Sequence, residues 1–451
     1  MRTYARRVGR RVSGTTIGAL VGVLLVLAAL TVPPLTGWEV WARSAGGGLP
    51  PLHGFWDPKL FGAGTLPAVA LAVLAWRYAA DVAARLSWRW LLLASYAAGL
   101  AWLVSLALVD GVAGLTRTMD HGYDYLHTAR GITDVRVMLE TYVDRIPLTS
   151  PDNWTVHPAG HPPLALLFFV GLVEIGLGGS LAAGTTVAVL AATTAPAVLI
   201  TLRRLGAEVA ARRAAPFVVL SPAAIFAAVS ADGLFAALAA WALAALAVAA
   251  TTRESVPAAA WAALAGLLLG CCVMVSYGLP LLGFLALAVL WPGRSKGSPW
   301  RALPIAALSA LAVVLAFAAL GFAWWEAYPV LHDRYWDGLA RRRPAEYWLW
   351  GNLAALLLSA GPALGAGLGR LVELRGRADR VVATLVVAAA TAVLTADLSR
   401  MSKAEVERIW LPFVPWLLLS TALLPERWRR PALAAQLVTA LLVQHLLYTS
   451  W

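Results

Sequence analysis

Long apolar runs, each close to the roughly 20 residues needed to cross a bilayer, alternate along this chain with polar connections. Such runs favour helices, because a helix satisfies its backbone hydrogen bonds internally even in hydrocarbon. The pattern predicts an all-α polytopic membrane protein with about thirteen transmembrane helices. We place these helices near residues 16–36, 63–78, 90–109, 183–202, 214–230, 233–250, 259–277, 279–292, 302–323, 353–371, 381–396, 411–424 and 431–447.

One further apolar segment, residues 163–178, does not fit this alternation. If it crossed the membrane, the arginine pairs 203–204 and 212–213 would lie outside the cell, against the usual preference of basic residues for the cytoplasmic side. Pro162 and Pro163 stand at its start, which is typical of a helix N-terminus. We therefore predict a juxtamembrane helix that lies in, or dips into, the outer interface.

Composition supports a membrane protein. Of the 451 residues, 60% are hydrophobic and 13% are charged, and the mean hydropathy is +0.72. Soluble domains carry roughly 25% charged residues. The net charge of +12 does not indicate nucleic-acid binding, because most Lys and Arg residues flank the apolar runs.

The distribution of charge also predicts orientation. Basic residues before the first apolar run favour an uncleaved signal anchor with a cytoplasmic N-terminus. The acidic connections then lie outside the cell. The chain is rich in Ala, Arg and Gly but poor in Lys, which suggests a bacterial source, so we expect a multi-pass protein of a bacterial plasma membrane. Because the acidic connections lie outside, we expect its active face to be extracytoplasmic.

The connections divide the chain into five parts. Residues 1–109 form an N-terminal anchor and two further spans, and residues 110–182 form an extracytoplasmic acidic loop with the interfacial helix. A central transmembrane bundle (183–323), an outer aromatic and basic loop (324–352) and a C-terminal transmembrane bundle (353–451) follow. Long loops in compact domains usually carry function, so the acidic loop is the principal candidate site.

Two candidate catalytic carboxylates lie early in the acidic loop. Asp120 or Asp124 could remove a proton from an acceptor hydroxyl, or bind a metal ion that assists this step. Solvated loop charges or a helix N-cap are the alternative. If the segment is helical, the four-residue spacing would put both carboxylates on one helix face.

Two histidines and one aspartate near the apolar runs each have two interpretations. His157 and His161 are four residues apart, but Pro158 and Gly160 are expected to break any helix between them. They could be zinc ligands, which requires further donors, but we favour structural or substrate-contacting histidines. Asp232 lies between two spans, where it is either functional or a loop acid that caps the next helix.

Basic residues on the outer side depart from the positive-inside trend. They are Arg341–Arg343, Arg400, Lys403 and Arg408. A phosphate partner would explain them, and Arg408, which directly precedes apolar sequence, is the first choice for a lipid phosphate. Alternatively they form surface ion pairs with nearby acidic residues, which are Asp333, Asp337, Glu346, Asp397, Glu405 and Glu407.

Several of these segments resemble the GT-C superfamily of polytopic glycosyltransferases. The run Asp120-His-Gly-Tyr-Asp-Tyr125, followed by Ala129-Arg130, looks like the acidic motif of an early outer loop in that family, although His121 replaces the second acid. His161-Pro-Pro-Leu164 is similar to the family's helix start, and Ser230-Ala-Asp232 to a later acidic turn. More narrowly, the chain resembles uncharacterised actinobacterial integral membrane proteins, with envelope mannosyl- and arabinofuranosyl-transferases as more distant analogues.

The resemblance implies transfer of a sugar from a polyprenyl-phosphate donor to an envelope glycan, lipid or protein. It implies Asp120 or Asp124 as the base. The substrate-binding residues would be His121, Tyr123, Tyr125, Arg130, His157, His161, Asp232, Arg400, Lys403 and Arg408. Partners would be the lipid-linked donor, membrane lipid and an envelope glycan or glycolipid acceptor, with no nucleic acid. No protein-bound metal is required, but the resemblance leaves room for a divalent cation. The alternatives are a transporter or flippase of an envelope lipid precursor, and a non-catalytic envelope-assembly protein.

Overall fold

The computed structural model describes residues 12–44, 46, 48–293 and 299–449. The arginines expected to hold the N-terminus in the cytoplasm lie outside the described residues; they are Arg2, Arg6, Arg7, Arg10 and Arg11. Within the described residues the chain is helical, apart from turns, loops and one two-stranded sheet.

The longer helices are α1 Gly14–Thr36, α2 Thr65–Arg85, α3 Trp88–Ala107, α8 Pro163–Glu174, α9 Ser180–Ala191, α10 Thr194–Leu205, α11 Glu208–Val219, α13 Ala231–Thr251, α14 Ser255–Val275, α15 Leu282–Gly293, α16 Pro299–Ala319, α17 Trp324–Asp337, α18 Ala345–Ala360, α19 Ala363–Leu374, α20 Arg380–Leu398 and α23 Glu426–Leu446. The shorter helices are α4 Ala113–Asp120, α5 Tyr125–Ala129, α6 Val135–Glu140, α7 Val156–Gly160, α12 Ala224–Ala227, α21 Val406–Ile409 and α22 Val414–Leu417. Turns of 3₁₀ helix cover Leu108–Asp110, Leu279–Leu281, Leu339–Arg341 and Leu418–Leu423, and the strands are β1 Gly54–Trp56 and β2 Leu447–Thr449.

Among the described residues, 8 helical segments are long and apolar enough to cross a membrane, and up to 9 if a bent pair is one span. The 8 segments are Gly14–Thr36, Thr65–Arg85, Trp88–Asp110, Ser180–Leu205, Ala231–Thr251, Ser255–Val275, Trp300–Ala319 and Arg380–Leu398. The bent pair is α18 with α19, whose axes differ by 106°. The chain is therefore an all-α polytopic protein, as predicted. By helix length and hydropathy, however, the described residues support 8 or 9 spans rather than about thirteen.

Most of the other predicted spans are interrupted or shortened, and prolines account for much of this. The exception is the predicted span 431–447, which lies in the continuous helix α23. The segment 214–230 divides because α11 ends at Val219 and Pro222 stands in the break before α12. The segment 353–371 divides at Gly361, which is followed by Pro362. Proline removes a backbone donor and clashes with the preceding turn, so a continuous helix is disfavoured at these points.

The predicted interfacial segment 163–178 forms α8, which is shorter than expected. Pro163 occupies its first turn, as predicted. The helix ends at Glu174, and Gly176 follows in the left-handed region with a φ of 81°. The buried face of α8 packs under the acidic loop, because the ring of Phe169 stacks on that of Tyr125 at 5.5 Å between centroids. The position of α8 relative to a membrane stays a prediction.

Helix α1 packs against α19 through glycines. A Cβ atom added at Gly18 would lie 2.2 Å from the carbonyl oxygen of Gly365, and one added at Gly369 would lie 2.1 Å from that of Gly14. Small residues let helix backbones approach closely in a membrane, where apolar burial alone does not drive association. The glycines therefore determine how α1, which is mostly exposed, attaches to the rest of the protein.

We expect Gly18→Leu to separate α1 from α19 and to lower the free energy of unfolding by about 1–3 kcal/mol, because the new side chain overlaps the facing backbone. Thermal unfolding in detergent measures the loss. Gly283→Leu is the matched control, since Gly283 also lies in a helix but a Cβ there meets nothing within 4 Å. Equal melting temperatures for the two variants would contradict the glycine contact.

The two strands join distant parts of the chain. β1 and β2 pair antiparallel, with Phe55 opposite Tyr448. Beside them, Asp110 accepts from Lys59 at 2.5 Å and from Arg117 at 3.1 Å. These contacts bring the connection between α1 and α2, the start of the acidic loop and the end of α23 to the same end of the helices.

Candidate functional site

Polar side chains from five separate segments meet beside the first turn of α13. They come from the loop after α1, from the acidic loop, from α13 itself, from the connection between α17 and α18, and from α21 with the turn that leads into it. The residues brought together are His53, Asp124, Tyr125, His157, His161, Asp232, Arg343, Glu405, Glu407 and Arg408. We call this group the polar cluster.

Asp124 is the buried carboxylate of the acidic loop. It caps α5, and its Oδ1 accepts the backbone N–H of Tyr125 at 2.6 Å. Its Oδ2 lies 3.3 Å from Nδ1 of His157, and the residue is only 2% exposed. The segment from Asp120 to Asp124 is not helical, because α4 ends at Asp120 and the chain turns before α5 begins, so the two carboxylates do not share a helix face.

Tyr125 and His161 connect Asp124 to α13. The Tyr125 hydroxyl lies 2.6 Å from Nδ1 of His161, which also lies 3.1 Å from the carbonyl oxygen of His157. The His161 ring contacts Phe235, one turn after Asp232, at 5.6 Å between centroids. Burial lowers the pKa of His161 to about 4, so its imidazole is neutral at physiological pH. A neutral imidazole has one nitrogen that donates a hydrogen bond and one that accepts.

The expected break between His157 and His161 does not occur. Residues Val156–Gly160 form the short helix α7, with His161 as its C-cap. Pro158 is tolerated because it lies in the first turn, where a backbone N–H has no partner within the helix. The turn of helix places His157 beside Asp124 and His161 beside Tyr125.

Arg408 joins two carboxylates in the interior. Its Nη1 lies 2.7 Å from Oδ2 of Asp232, and its Nη2 lies 2.8 Å from Oε2 of Glu405. The side chains of Arg408 and Asp232 are each 7% exposed, and that of Glu405 is 21% exposed. Burial lowers the pKa of Arg408, but the charges of Asp232 and Glu405 outweigh it and raise the pKa overall.

Glu405 lies in a turn with an unusual backbone conformation. Ala404 and Glu405 both adopt left-handed conformations, with φ angles of 68° and 62°, which are uncommon for residues other than glycine. Asn352 stabilises this turn, because its side chain donates to the Ser402 carbonyl at 2.9 Å and accepts from the Ala404 N–H at 3.1 Å. Strained backbone of this kind often occurs at functional sites.

The charges around Glu405 keep it ionised. Arg343 Nη2 lies 3.1 Å from its Oε1. Burial raises the pKa of Glu405, but its interactions with His53 and with the positive charges of Arg343 and Arg408 outweigh burial and hold the pKa well below its ordinary value. Glu405 is therefore an anion shared by two buried arginines.

Glu407 differs from Glu405 although it is only two residues away. It is fully buried, and its Oε1 accepts the backbone N–H of His53 at 2.9 Å. Among the described residues its Oε2 has no hydrogen-bond partner. Burial raises the pKa of Glu407 to about 7, so the group changes charge near neutral pH.

We expect the free energy of unfolding of the wild type, minus that of Glu407→Gln, to decrease as the pH rises from 5 to 8. The folded pKa of about 7 exceeds the ordinary 4.5. The contribution of Glu407 is therefore fully present below pH 4.5 and lost as the pH rises through 7. The difference reaches up to about 3 kcal/mol. Glutamine stays neutral and still accepts from His53.

Thermal unfolding of both proteins at a series of pH values measures this difference. The comparison is needed because the pKa values of His53 and His161, lowered by burial to about 4, affect stability in the opposite sense. Glu346→Gln, at an exposed position, is the control. Parallel curves for wild type and Glu407→Gln would show that the buried carboxyl does not titrate in this range.

The structure leaves several predicted site residues outside the polar cluster. Asp120 is exposed and accepts a hydrogen bond from Ser180. Arg130 donates to Ser180 and to the carbonyl of Gly178, both within 3.1 Å. These contacts attach the acidic loop to the start of α9.

The remaining predicted residues border the cluster or lie further out. The rings of His121 and Tyr123 contact each other at 4.9 Å, and Tyr123 is 58% exposed. Lys403 is buried, donates to the carbonyl of Arg343 at 2.8 Å and lies 4.5 Å from the Trp336 ring centre. Arg400 is exposed, with a φ of 59°.

His53 belongs to the cluster but was not among the predicted site residues. A single histidine in a short loop carries no local signal for this role. Glu405 and Glu407 were considered only as members of surface ion pairs, and Arg343 either as such a member or as a phosphate ligand, whereas the structure buries all three. Among the described residues, no group of three or more His, Cys, Asp and Glu side chains is arranged to hold a metal ion.

Comparisons with protein-family models, with curated proteins and with solved structures find no match to this chain.

Proposed function

We propose that this protein is an outer-face glycosyltransferase that moves a sugar from a polyprenyl-phosphate donor to a hydroxyl of an envelope acceptor. The observation that carries the proposal is the polar cluster. It brings a carboxylate–histidine pair, Asp124 with His157, near the buried Asp232–Arg408–Glu405 group, whose charges act on Tyr125 and His161. A base and a cation close to a membrane are the two parts that this reaction needs.

In the proposed reaction the acceptor oxygen attacks the anomeric carbon of the donor. The bond from that carbon to the phosphate oxygen breaks, and polyprenyl phosphate leaves with the bonding electrons. The acceptor's proton passes to the carboxylate of Asp124, which His157 orients. With the base assigned to Asp124, the exposed Asp120 has the role of holding the loop against Ser180.

Arg408 meets the donor phosphate in this proposal by exchanging one carboxylate for it. Glu405 is the exchangeable partner, since it is more exposed than Asp232 and has Arg343 as a second partner. Asp232 stays bound and orients the guanidinium. Arg400 and Lys403, on the same turn, add positive charge along the approach.

The proposed topology has thirteen passages, with the polar cluster outside. Support comes from contacts at the opposite end of the helices. There Arg212, near the start of α11, donates to the carbonyls of Ala83 and Leu86 at the end of α2. Gly14, at the start of α1, lies beside Glu373, near the end of α19. The basic connections thus gather on one side, as the positive-inside rule expects.

A transporter of a lipid precursor is the second candidate. The bend of 106° between α18 and α19 favours it, because broken helices are common at transport sites. The polar cluster favours the transferase, since its charges lie at one end of the helices rather than midway between the two ends.

The test is reconstitution of the full chain in liposomes with labelled polyprenyl-phosphate pentoses and hexoses. We expect protein-dependent release of polyprenyl phosphate and transfer of label to an envelope extract. Movement of an intact donor across the bilayer without its cleavage would support the transporter instead. Absence of both activities, together with an unchanged envelope glycolipid profile in a deletion strain, would leave the assembly role.

A further inference from the structure

A cavity of about 550 Å³ lies at the far end of the helices from the polar cluster. Its described lining residues are Trp88, Ile200, Arg203, Arg204 and Thr251. Helix α13 shows the separation, because it carries Asp232 in its first turn and Thr251 at its last residue. The cavity therefore opens where α3 begins and where α10 and α13 end.

The two arginines are oriented by neighbouring side chains. Arg204 donates from Nε to the hydroxyl of Thr251 and from Nη2 to that of Thr252, each at 3.2 Å. Both hydroxyls donate in turn to carbonyls of α13, so their oxygens face the guanidinium as acceptors. Neutral hydroxyls in these positions fix the direction of the guanidinium.

Arg203 is fixed by an aromatic ring and a carboxylate. Its guanidinium carbon lies 4.5 Å from the centre of the Trp88 ring, and its Nε lies 3.0 Å from Glu208. Glu208 is shared with Arg212, at 2.8 Å. The described residues lining the cavity include two arginines and no acid, beside the apolar surfaces of Ile200 and Trp88.

We propose that this cavity binds a phosphate-bearing anion, and that its source is the headgroup of an anionic phospholipid. Guanidinium groups match phosphate oxygens in geometry as well as charge. The cavity lies at the ends of two segments that are long and apolar enough to cross a membrane, Ser180–Leu205 and Ala231–Thr251. The ends of such segments reach the headgroup region of a bilayer. Ile200 and Trp88 suit the glycerol and the first acyl carbons. Basic pockets between helices on the cytoplasmic side recognise such lipids. The site is independent of sugar transfer.

Phosphatidylglycerol retained by the purified full chain, measured by native mass spectrometry, tests the proposal. We expect the wild type to retain phosphatidylglycerol in preference to phosphatidylcholine. Arg203→Gln and Arg204→Gln should each weaken retention about fivefold, and the double variant about 30-fold. Arg377→Gln is the matched control, because it removes one charge from an exposed position on the same side, outside the cavity.

Two further measurements separate the outcomes. The double variant with lysine at both positions should recover part of the retention, which a merely unfolded protein would not do. Displacement of phosphatidylglycerol by millimolar inorganic phosphate would overturn the lipid source and assign the cavity to a soluble phosphate compound. Equal retention of phosphatidylglycerol by wild type, double variant and control would overturn the site itself.

Discussion

Asp124→Asn is expected to lower sugar transfer about 100- to 10,000-fold, the usual contribution of a general base. Asparagine fills nearly the same volume and still caps α5, so the fold is retained. It cannot take up the acceptor's proton. The measurement is release of labelled polyprenyl phosphate in liposomes, from whichever donor the wild type consumes, at saturating donor so that binding and chemistry are separated.

Two other carboxylates of the acidic loop make this result interpretable. Asp120→Asn should retain most of the activity, because Asp120 is exposed and contacts Ser180 rather than the polar cluster. Asp144→Asn changes an exposed charge elsewhere in the loop and controls for the net charge. If Asp120→Asn lost transfer while Asp124→Asn kept it, the base would be Asp120 and the polar cluster would be structural.

The second large effect concerns Arg408. We expect Arg408→Leu to lower the free energy of unfolding by about 3–5 kcal/mol, because it leaves the carboxylates of Asp232 and Glu405 buried without their cation. Glu405 keeps Arg343, but Asp232 loses the ion pair that offsets its burial. Thermal unfolding in detergent, or the folded fraction after extraction, measures the change.

A double variant identifies the cause. Replacing Asp232 and Arg408 together by leucines removes both charges, and apolar replacement of a buried pair is often nearly neutral. The double variant should therefore be more stable than Arg408→Leu alone, although sugar transfer should be lost in both. If the double variant were less stable than wild type by the sum of the two single-variant effects, the two side chains would not be coupled.

Activity and stability together separate two roles of the polar cluster. A purely structural cluster predicts that transfer follows the folded fraction in every variant. A catalytic cluster predicts that Asp124→Asn remains folded and inactive. The neutral His161, held between Tyr125 and the His157 carbonyl, provides a sensitive probe, since its environment should change when Asp124 loses its charge.

Much of the candidate site could be predicted from residue types. Asp124, His157, Tyr125 and His161 lie in a polar loop between apolar runs, where buried or membrane-proximal polar groups need a reason. Their arrangement could not be predicted, because it depends on α7. That turn of helix contains a proline, which local rules treat as a breaker.

Which charged residues pair with one another could not be predicted from the sequence. Asp232 and Arg408 are 176 residues apart, and nothing local connects them. Arg408 could be selected as unusual because the predicted topology puts it on the outer side, against the positive-inside trend. Its partners follow only from the packing of α21 against the start of α13. His53 had no signal at all, since its role depends on a backbone contact with Glu407.

By itself the sequence determined that this is a helical membrane protein and where its polar loops lie, because apolar runs and interrupting prolines act locally along the chain. It also identified a carboxylate and histidines in the acidic loop. Only the tertiary structure decided which helices are continuous, which of the two aspartates is buried and which charges neutralise one another. Those outcomes depend on contacts between segments far apart in sequence, and the energy of a buried charge depends on what lies beside it.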